Sequence, residues 1–231
     1  MPVLEIVQLD FQGVLEYKLK DMPRGFAMIT QRRVALPSSR DRLLEAAISL
    51  FAEQGYESAS TADICRLAGT SQSQLVKHFT NKQGLLEAIF EHAWAQINPA
   101  IRMAIQTVSS PREKLNTVMG MILSFLDGEK QLRALFLLEG RRRHGDGNIV
   151  VLVPGFLEFV TIIDGILKEA ALSGKLQPSL HPQAVRSMLM GALEGMLRDL
   201  LIAKPARLPA AYTDADIRAA FANLISCCLS K

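Results

Sequence analysis

Cysteine is scarce in this 231-residue chain, which has only Cys65, Cys227 and Cys228. An odd count, with no CxxC pair and no histidine partner nearby, supports neither a disulfide framework nor a zinc site, and it points to a reducing cytoplasm. A long unbroken apolar run is also lacking. The most apolar stretch, NIVVLVPGFLEFVTIIDGIL at residues 148–167, is interrupted by Pro154, Gly155, Glu158 and Asp164. Spanning a bilayer needs about 20 predominantly apolar residues, so the stretch reads as a buried helix and no membrane partner is expected. The opening MPVLEIVQLDF has no basic leader and carries Glu5 and Asp10, which argues against a signal peptide. Catalytic machinery is missing as well: there is no nucleophile–base pair, metal cluster or phosphate-binding loop, and the four histidines are scattered. No catalytic residue, metal or cofactor is therefore expected.

What is present is apolar residue in quantity. At 49% hydrophobic, the chain can bury a core without staples. Its net charge of +3 is too small to announce a nucleic-acid partner from the total alone. The distribution says more. Arg32, Arg33, Arg40 and Arg42 face only Asp41 between residues 31 and 42, and Arg66, Lys77 and Lys82 face only Asp63 between 60 and 82. The stretch between them carries Glu45, Glu53 and Glu57 with no basic residue, so positive charge sits on two separated pieces.

Residues 1–37 are mixed. VLEIVQLDF and VLEYKL alternate weakly, like two strands around Gln12-Gly13, and MPRGF with a basic arm leads to Pro37. Met28 starts a plausible shorter product, and the segment is expected to be a disordered N-terminal extension.

From Ser38 the helical signals are regular, and the expected fold class is all-α. RDRLLEAAISLFAEQG places Leu43, Leu44, Ala47, Ile48, Phe51 and Ala52 on one face and stops at Gly55. Ser60 and Asp63 cap a short helix that ends by Gly69, where a tight turn favours glycine. Ser71 caps the next helix, and Asn81 caps a fourth that runs through Trp94 to about Gln96, with Pro99 as its end. Beyond Pro99 the pattern gives helices over 110–126, 131–142, 154–171, 182–203 and 213–229. The expected units are thus an extension (1–37), a helix-turn-helix unit (38–98) and a helical C-terminal region (99–231).

Two short helices joined by a Gly-containing turn, the second led by small polar residues, have helix-turn-helix geometry. On a helical wheel Leu75, Phe79 and Ser71 share an inner sector, Ser73 and Lys77 lie opposite, and Gln74 and Val76 flank them, with Gln72 near the helix start. Each outward residue type has a groove partner: glutamine pairs with adenine, serine with several base edges, and valine packs on a thymine methyl. The helix start itself favours a phosphate.

Residues 40–93, RDRLLEAAISLFAEQGYESASTADICRLAGTSQSQLVKHFTNKQGLLEAIFEHA, resemble the DNA-binding domain of the TetR family of transcriptional regulators. LFAEQGY, STADI, Ala68-Gly69, Ser71, Leu75, His78-Phe79 and NKQGLL carry the resemblance in one register. It implies that the helix from Ser71 reads DNA and that Thr61 and Lys82 touch phosphate. The expected DNA-contacting set is Arg40, Thr61, Ser71, Gln72, Ser73, Gln74, Val76, Lys77, His78 and Lys82, although His78 also suits a cap or packing role. Departures from the family pattern are Cys65 for alanine, Thr70 for valine, Ser73 for glycine, and Val76 for a tyrosine that reaches the DNA backbone.

The resemblance further implies a second half that binds a small molecule and dimerises. Met119, Ile122, Phe125, Phe136, Phe156 and Phe159 are candidates for the wall of an apolar effector pocket, which suits an apolar or amphipathic ligand. The helix over 182–203 is apolar on more than one side, and Gly191 and Gly195 with Ala192 allow close helix approach, so Met188, Gly191, Ala192, Gly195 and Met196 are candidates for a homodimer contact, a four-helix interface that this helix forms with the one over 214–229. The function expected is a repressor on double-stranded operator DNA, released by a small-molecule effector. The alternative is a helical dimeric protein-interaction module that has lost sequence-specific DNA binding. RRRHG at 141–145 reads as a basic helix end.

Overall fold

The computed structural model describes residues 6–9, 15–17, 37–136, 143–144, 149–150, 152–206 and 212–230. Arg32, Arg33 and most of the N-terminal extension lie outside them, as do Leu137, Arg141 and Arg142. Strand β1 (Ile6–Leu9) pairs antiparallel with β2 (Leu15–Tyr17), which is the pairing that the alternation around Gln12-Gly13 suggests.

Helix α1 (Ser39–Gln54) starts on a capping box, in which Ser38 Oγ accepts from the Asp41 N–H while the Asp41 carboxylate accepts from the Ser38 backbone. It ends at Gly55, whose φ of 85° is cheap only without a side chain. Helices α2 (Thr61–Leu67) and α3 (Gln72–Phe79) are each led by the expected serine. Helix α4 (Lys82–Gln106) starts on Asn81, which accepts from the Gly84 N–H. The core of this half joins Leu44, Ala47 and Phe51 of α1 to Ile64 of α2, Leu75 and Phe79 of α3, and Leu85 and Ile89 of α4.

Pro99 does not end α4, contrary to the sequence expectation. Proline removes one intrahelical bond, the one to the carbonyl four residues earlier. Ala95 and Pro99 both lie on the exposed face, where water can take that carbonyl. The opposite face continues unbroken through Trp94, Ile97, Asn98 and Ile101, all buried, so tertiary packing overrides the local signal. The boundary expected after residue 98 therefore falls inside a continuous helix.

Helices α5 (Pro111–Gly128), α6 (Lys130–Phe136), α7 (Pro154–Leu172), α8 (Pro182–Ala206) and α9 (Asp214–Cys228) complete the chain, with a minimal pairing of β3 (Arg143–His144) and β4 (Ile149–Val150) between α6 and α7. Prolines open α5 and α7 at the first helical position, where the missing N–H costs nothing. Helix α7 packs on α4, α5 and α8, α9 packs on α5 and α8, and α6 lies against α1. No helix among the described residues is long and apolar enough to cross a membrane.

The α4–α7 junction is unusually close. A Cβ on Gly155 would stand 2.4 Å from Trp94 Cβ, so only glycine lets the start of α7 reach α4. Three α4 side chains hold it there: Glu91 accepts from the Gly155 N–H (2.9 Å), Asn98 Nδ2 donates to the Gly155 carbonyl (2.8 Å), and Arg102 pairs with Glu158 (2.8 Å). Asn98 is 1% exposed, and among the described residues its Oδ1 has no hydrogen-bond partner.

Candidate DNA-binding surface

The turn between α2 and α3 is built from inside. Gly69 has a φ of 58°, and the Thr70 N–H donates to the Cys65 carbonyl (3.0 Å). From α1, Arg42 Nε donates to the Ala68 carbonyl (2.9 Å) and Nη1 to that of Pro37 (2.9 Å). Arg42 is thus a clamp on the turn, not part of an outward basic arm. Beneath it Cys65 is buried, and desolvation pushes its thiol pKa above the ordinary value, as expected for a small core residue.

Ser71 caps α3, accepting from the Gln74 N–H, and its hydroxyl also meets that of Ser73 at 2.8 Å. Leu75 and Phe79 lock the inner face into the core. Gln72, Ser73, Val76 and Lys77 are exposed on the outer face, with Gln74 half-buried beside them. Val76 is 56% exposed and presents bare methyl groups on the outer face. Gln72 reaches back to the start of α2, where its Nε2 donates to Thr61 Oγ1 (3.3 Å), which places both residues at the same end of the surface.

Three expected contacts sit differently. Lys82 points inward: its ammonium donates to the carbonyls of Tyr56 (2.9 Å), Glu57 (3.3 Å) and Ala59 (3.2 Å) and lies 4.5 Å from the centre of the Tyr56 ring. An ammonium has three donors, and all three are engaged, so Lys82 closes the α1–α2 loop. His78 shares a hydrogen bond with Ser39 Oγ (3.1 Å) and tethers the end of α3 to the start of α1. Arg40 is exposed but lies over the Phe79 ring, 5.5 Å from its centre. A further constraint was invisible in the sequence: a Cβ on Gly84 would stand 2.1 Å from the Phe79 carbonyl oxygen, so glycine sets how closely α4 follows α3.

The candidate effector residues divide. Phe136, Phe156 and Phe159 gather around Trp94, at centroid distances of 5.5, 5.6 and 4.8 Å, where α4, α6 and α7 meet. Met119 instead lines a cleft between α5 and α9. Ile122 is buried in α5 and Phe125 is half-buried on it. On α8, Val185, Leu189, Leu193 and Leu197 face the core, while Met188 and Gly191 are exposed and Ala192, Gly195 and Met196 are half-buried. Sequence reasoning missed Trp94 as the hub of the aromatic cluster, and Glu91 and Asn98 as its polar neighbours. The helical spacing of 91, 94, 98 and 101 across Pro99 was the available signal.

Residues 43–89 match the model of bacterial regulatory proteins of the tetR family, and residues 90–204 match that of the YsiA-like C-terminal region. The fatty acid metabolism regulator protein of Bacillus subtilis is 27% identical over 66% of this chain and 78% of its own. The regulator UidR of Escherichia coli is 24% identical over 75% of this chain and 87% of its own. Among solved structures, FadR from Bacillus subtilis in complex with stearoyl-CoA superposes with a TM-score of 0.68 at 22% identity, covering 80% of this chain and 96% of that one. FadR from Bacillus halodurans gives a TM-score of 0.65 at 20% identity, covering 83% and 96%. With the two matched regions meeting inside α4, as the helix itself joins the two halves, the chain belongs to the TetR family and is a DNA-binding regulator of transcription.

Proposed function

We propose that the protein is a homodimeric repressor whose operator binding is relieved by a long-chain acyl thioester or a similar amphipathic molecule. The observation that carries the DNA part is α3, whose inner face is locked by Leu75 and Phe79 while Gln72, Ser73, Val76 and Lys77 are exposed on the outer one. Two such helices must lie about 34–36 Å apart to enter successive major grooves. The α8 face bearing Met188, Gly191 and Gly195 is the candidate for the two-fold contact that sets this distance, because small residues let helices approach and a two-fold interface reuses one patch.

The effector class rests on two supports: the cluster of Trp94 with Phe136, Phe156 and Phe159, and the stearoyl-CoA bound by the similar Bacillus subtilis FadR. An apolar chain entering that cluster displaces α7 from α4, and a ligand favouring the displaced arrangement shifts the population away from the DNA-spaced one. Selection of genomic fragments by the purified protein, with and without stearoyl-CoA, tests the reading. A shared operator motif that is lost with the thioester is expected. Failure to enrich any motif, with no salt-sensitive binding, would favour the protein-interaction module instead. A motif that stearoyl-CoA leaves untouched would remove the effector class while keeping the DNA function.

A further inference from the structure

Helices α5 and α9 run side by side, and between them lies a cleft of about 180 Å3. Met119, Gly120 and Leu123 of α5 and Phe221 of α9 form most of its wall, and Asn116 and Arg218 are the polar groups on its lining. Arg218 crosses from α9 to α5, where Nη1 donates to the Gly120 carbonyl (3.0 Å) and Nη2 to Ser124 Oγ (3.1 Å). One turn before Asn116, Arg112 makes the same crossing in reverse and donates to Ser226 Oγ on α9.

Among the described residues, Arg218 is the one charged group on the lining of this cleft, and no carboxylate lines it with Arg218. Arg102, Lys114, Arg133 and Arg186 each hold a carboxylate within ion-pair distance, at Glu158, Glu169, Asp214 and Asp164. Arg112 and Arg218 hold only hydroxyl and carbonyl groups among the described residues. Of the two acids at the start of α9, Asp214 is taken by Arg133 and Asp216 accepts from the Thr213 N–H and hydroxyl. Guanidinium groups match carboxylates in geometry, and Arg218 has five donors of which two hydrogen bonds use only part.

Size narrows the occupant. A cavity of about 150 Å3 holds benzene, and drug-sized ligands need about 300–1,000 Å3. The cleft between them in scale fits one small apolar body. We propose that the α5/α9 cleft binds a small apolar carboxylate, a short-chain or aromatic acid, with Arg218 on the carboxylate and Met119 and Phe221 on the apolar body. This site is separate from the aromatic cluster around Trp94, and it depends on neither operator nor thioester.

The test is a titration of the full chain, labelled at its methionine methyl groups, with hexanoate and with hexan-1-ol. The expected result is a saturable shift of the Met119 resonance, tighter for hexanoate by roughly tenfold or more, as one charge-assisted hydrogen bond implies. Arg218→Met, which keeps the apolar stem, should erase the preference for the acid, and Arg218→Lys should retain part of it. Ala222→Met, which fills the cleft from its exposed rim, should abolish both shifts without touching either arginine. Equal affinity for acid and alcohol in the unmodified protein overturns the proposal. So does a non-saturable shift, or a Met119 shift that survives in Ala222→Met.

Discussion

Replacing Lys82 with methionine separates two accounts of this residue that predict opposite results. As a phosphate anchor, its loss would weaken DNA binding on every sequence and lower the salt slope by about 1. The structure assigns it a different task, with three carbonyls and the Tyr56 ring around its ammonium. A hydrogen bond to a charged donor is worth about 1.5–3 kcal/mol at good geometry, and a partly exposed cation–π contact about 0.5–1 kcal/mol. The Tyr56 bond is the shortest of the three, and the exposed Glu57 carbonyl can turn to water, whereas Ala59 is 2% exposed and its neighbourhood cannot rehydrate cheaply. Methionine keeps the stem and its contact with Tyr56. The expected cost is therefore about 2–3 kcal/mol, a fall in melting temperature of roughly 4–12 °C for a chain of this size. Measured below that temperature, operator affinity against salt, read by fluorescence anisotropy, should keep its slope. Unchanged stability together with a slope lower by about 1 would refute the loop-closing role and restore the phosphate contact.

On the reading surface, Gln74→Ala or Gln72→Ala should cost about 1–3 kcal/mol at one operator position if that glutamine pairs with a base; equal weakening on all sequences in a binding-site substitution series would reduce it to a backbone contact. Gly84→Ala should destabilise the protein in urea by about 1–3 kcal/mol or more, because the new methyl group meets the backbone of Phe79 and not a movable side chain. Asp216 accepts hydrogen bonds from the Thr213 N–H (2.7 Å) and hydroxyl (2.7 Å), which hold its carboxyl below the usual aspartate range. Its contribution is thus present above the ordinary value near ~4 and is lost as pH falls through the lowered one. Asp216→Asn should flatten the acid limb of the stability–pH curve, and an unchanged limb would remove the cap from that account.

The two halves of the molecule are joined by more than chain continuity. Helix α4, about 37 Å long, begins in the DNA-binding core at Leu85 and Ile89, and Gly155 of α7 meets it near its middle at Glu91, Trp94 and Asn98, so one helix carries contacts of both halves. Helix α6 makes a second link. It lies against α1, Phe136 touches Trp94, and Arg133 pairs with Asp214 at the start of α9 (3.0 Å). One seven-residue helix therefore meets the DNA-binding unit, the aromatic cluster and a helix that packs on α8. Among the described residues Oδ1 of Asn98 lacks a hydrogen-bond partner at the α4–α7 junction, and a buried acceptor left in that state costs about 1–3 kcal/mol.

Which of these features the sequence displays follows from the range of the forces involved. The capped helices are local: Ser38 with Asp41, Ser60 with Asp63, and Thr213 with Asp216 are each three residues apart, and the structure has all three. The outer face of α3 is equally local, because periodicity alone separates Leu75 and Phe79 from Ser73 and Lys77. What the sequence conceals is direction over long separations. Lys82 and Arg42 both look like surface cations for DNA, yet each finds backbone carbonyls supplied by segments 23 to 26 residues away. A carbonyl acceptor leaves no mark in a sequence, because every residue carries one. Charge counted along the chain therefore overstated the outward positive surface of the reading domain by those two residues. Pro99 failed as a stop signal for the converse reason: its cost is one local bond on an exposed face, and the buried face of α4, with Trp94, Asn98 and Ile101, outweighs it. A proline ends a helix only where nothing across the core holds the next turn in place.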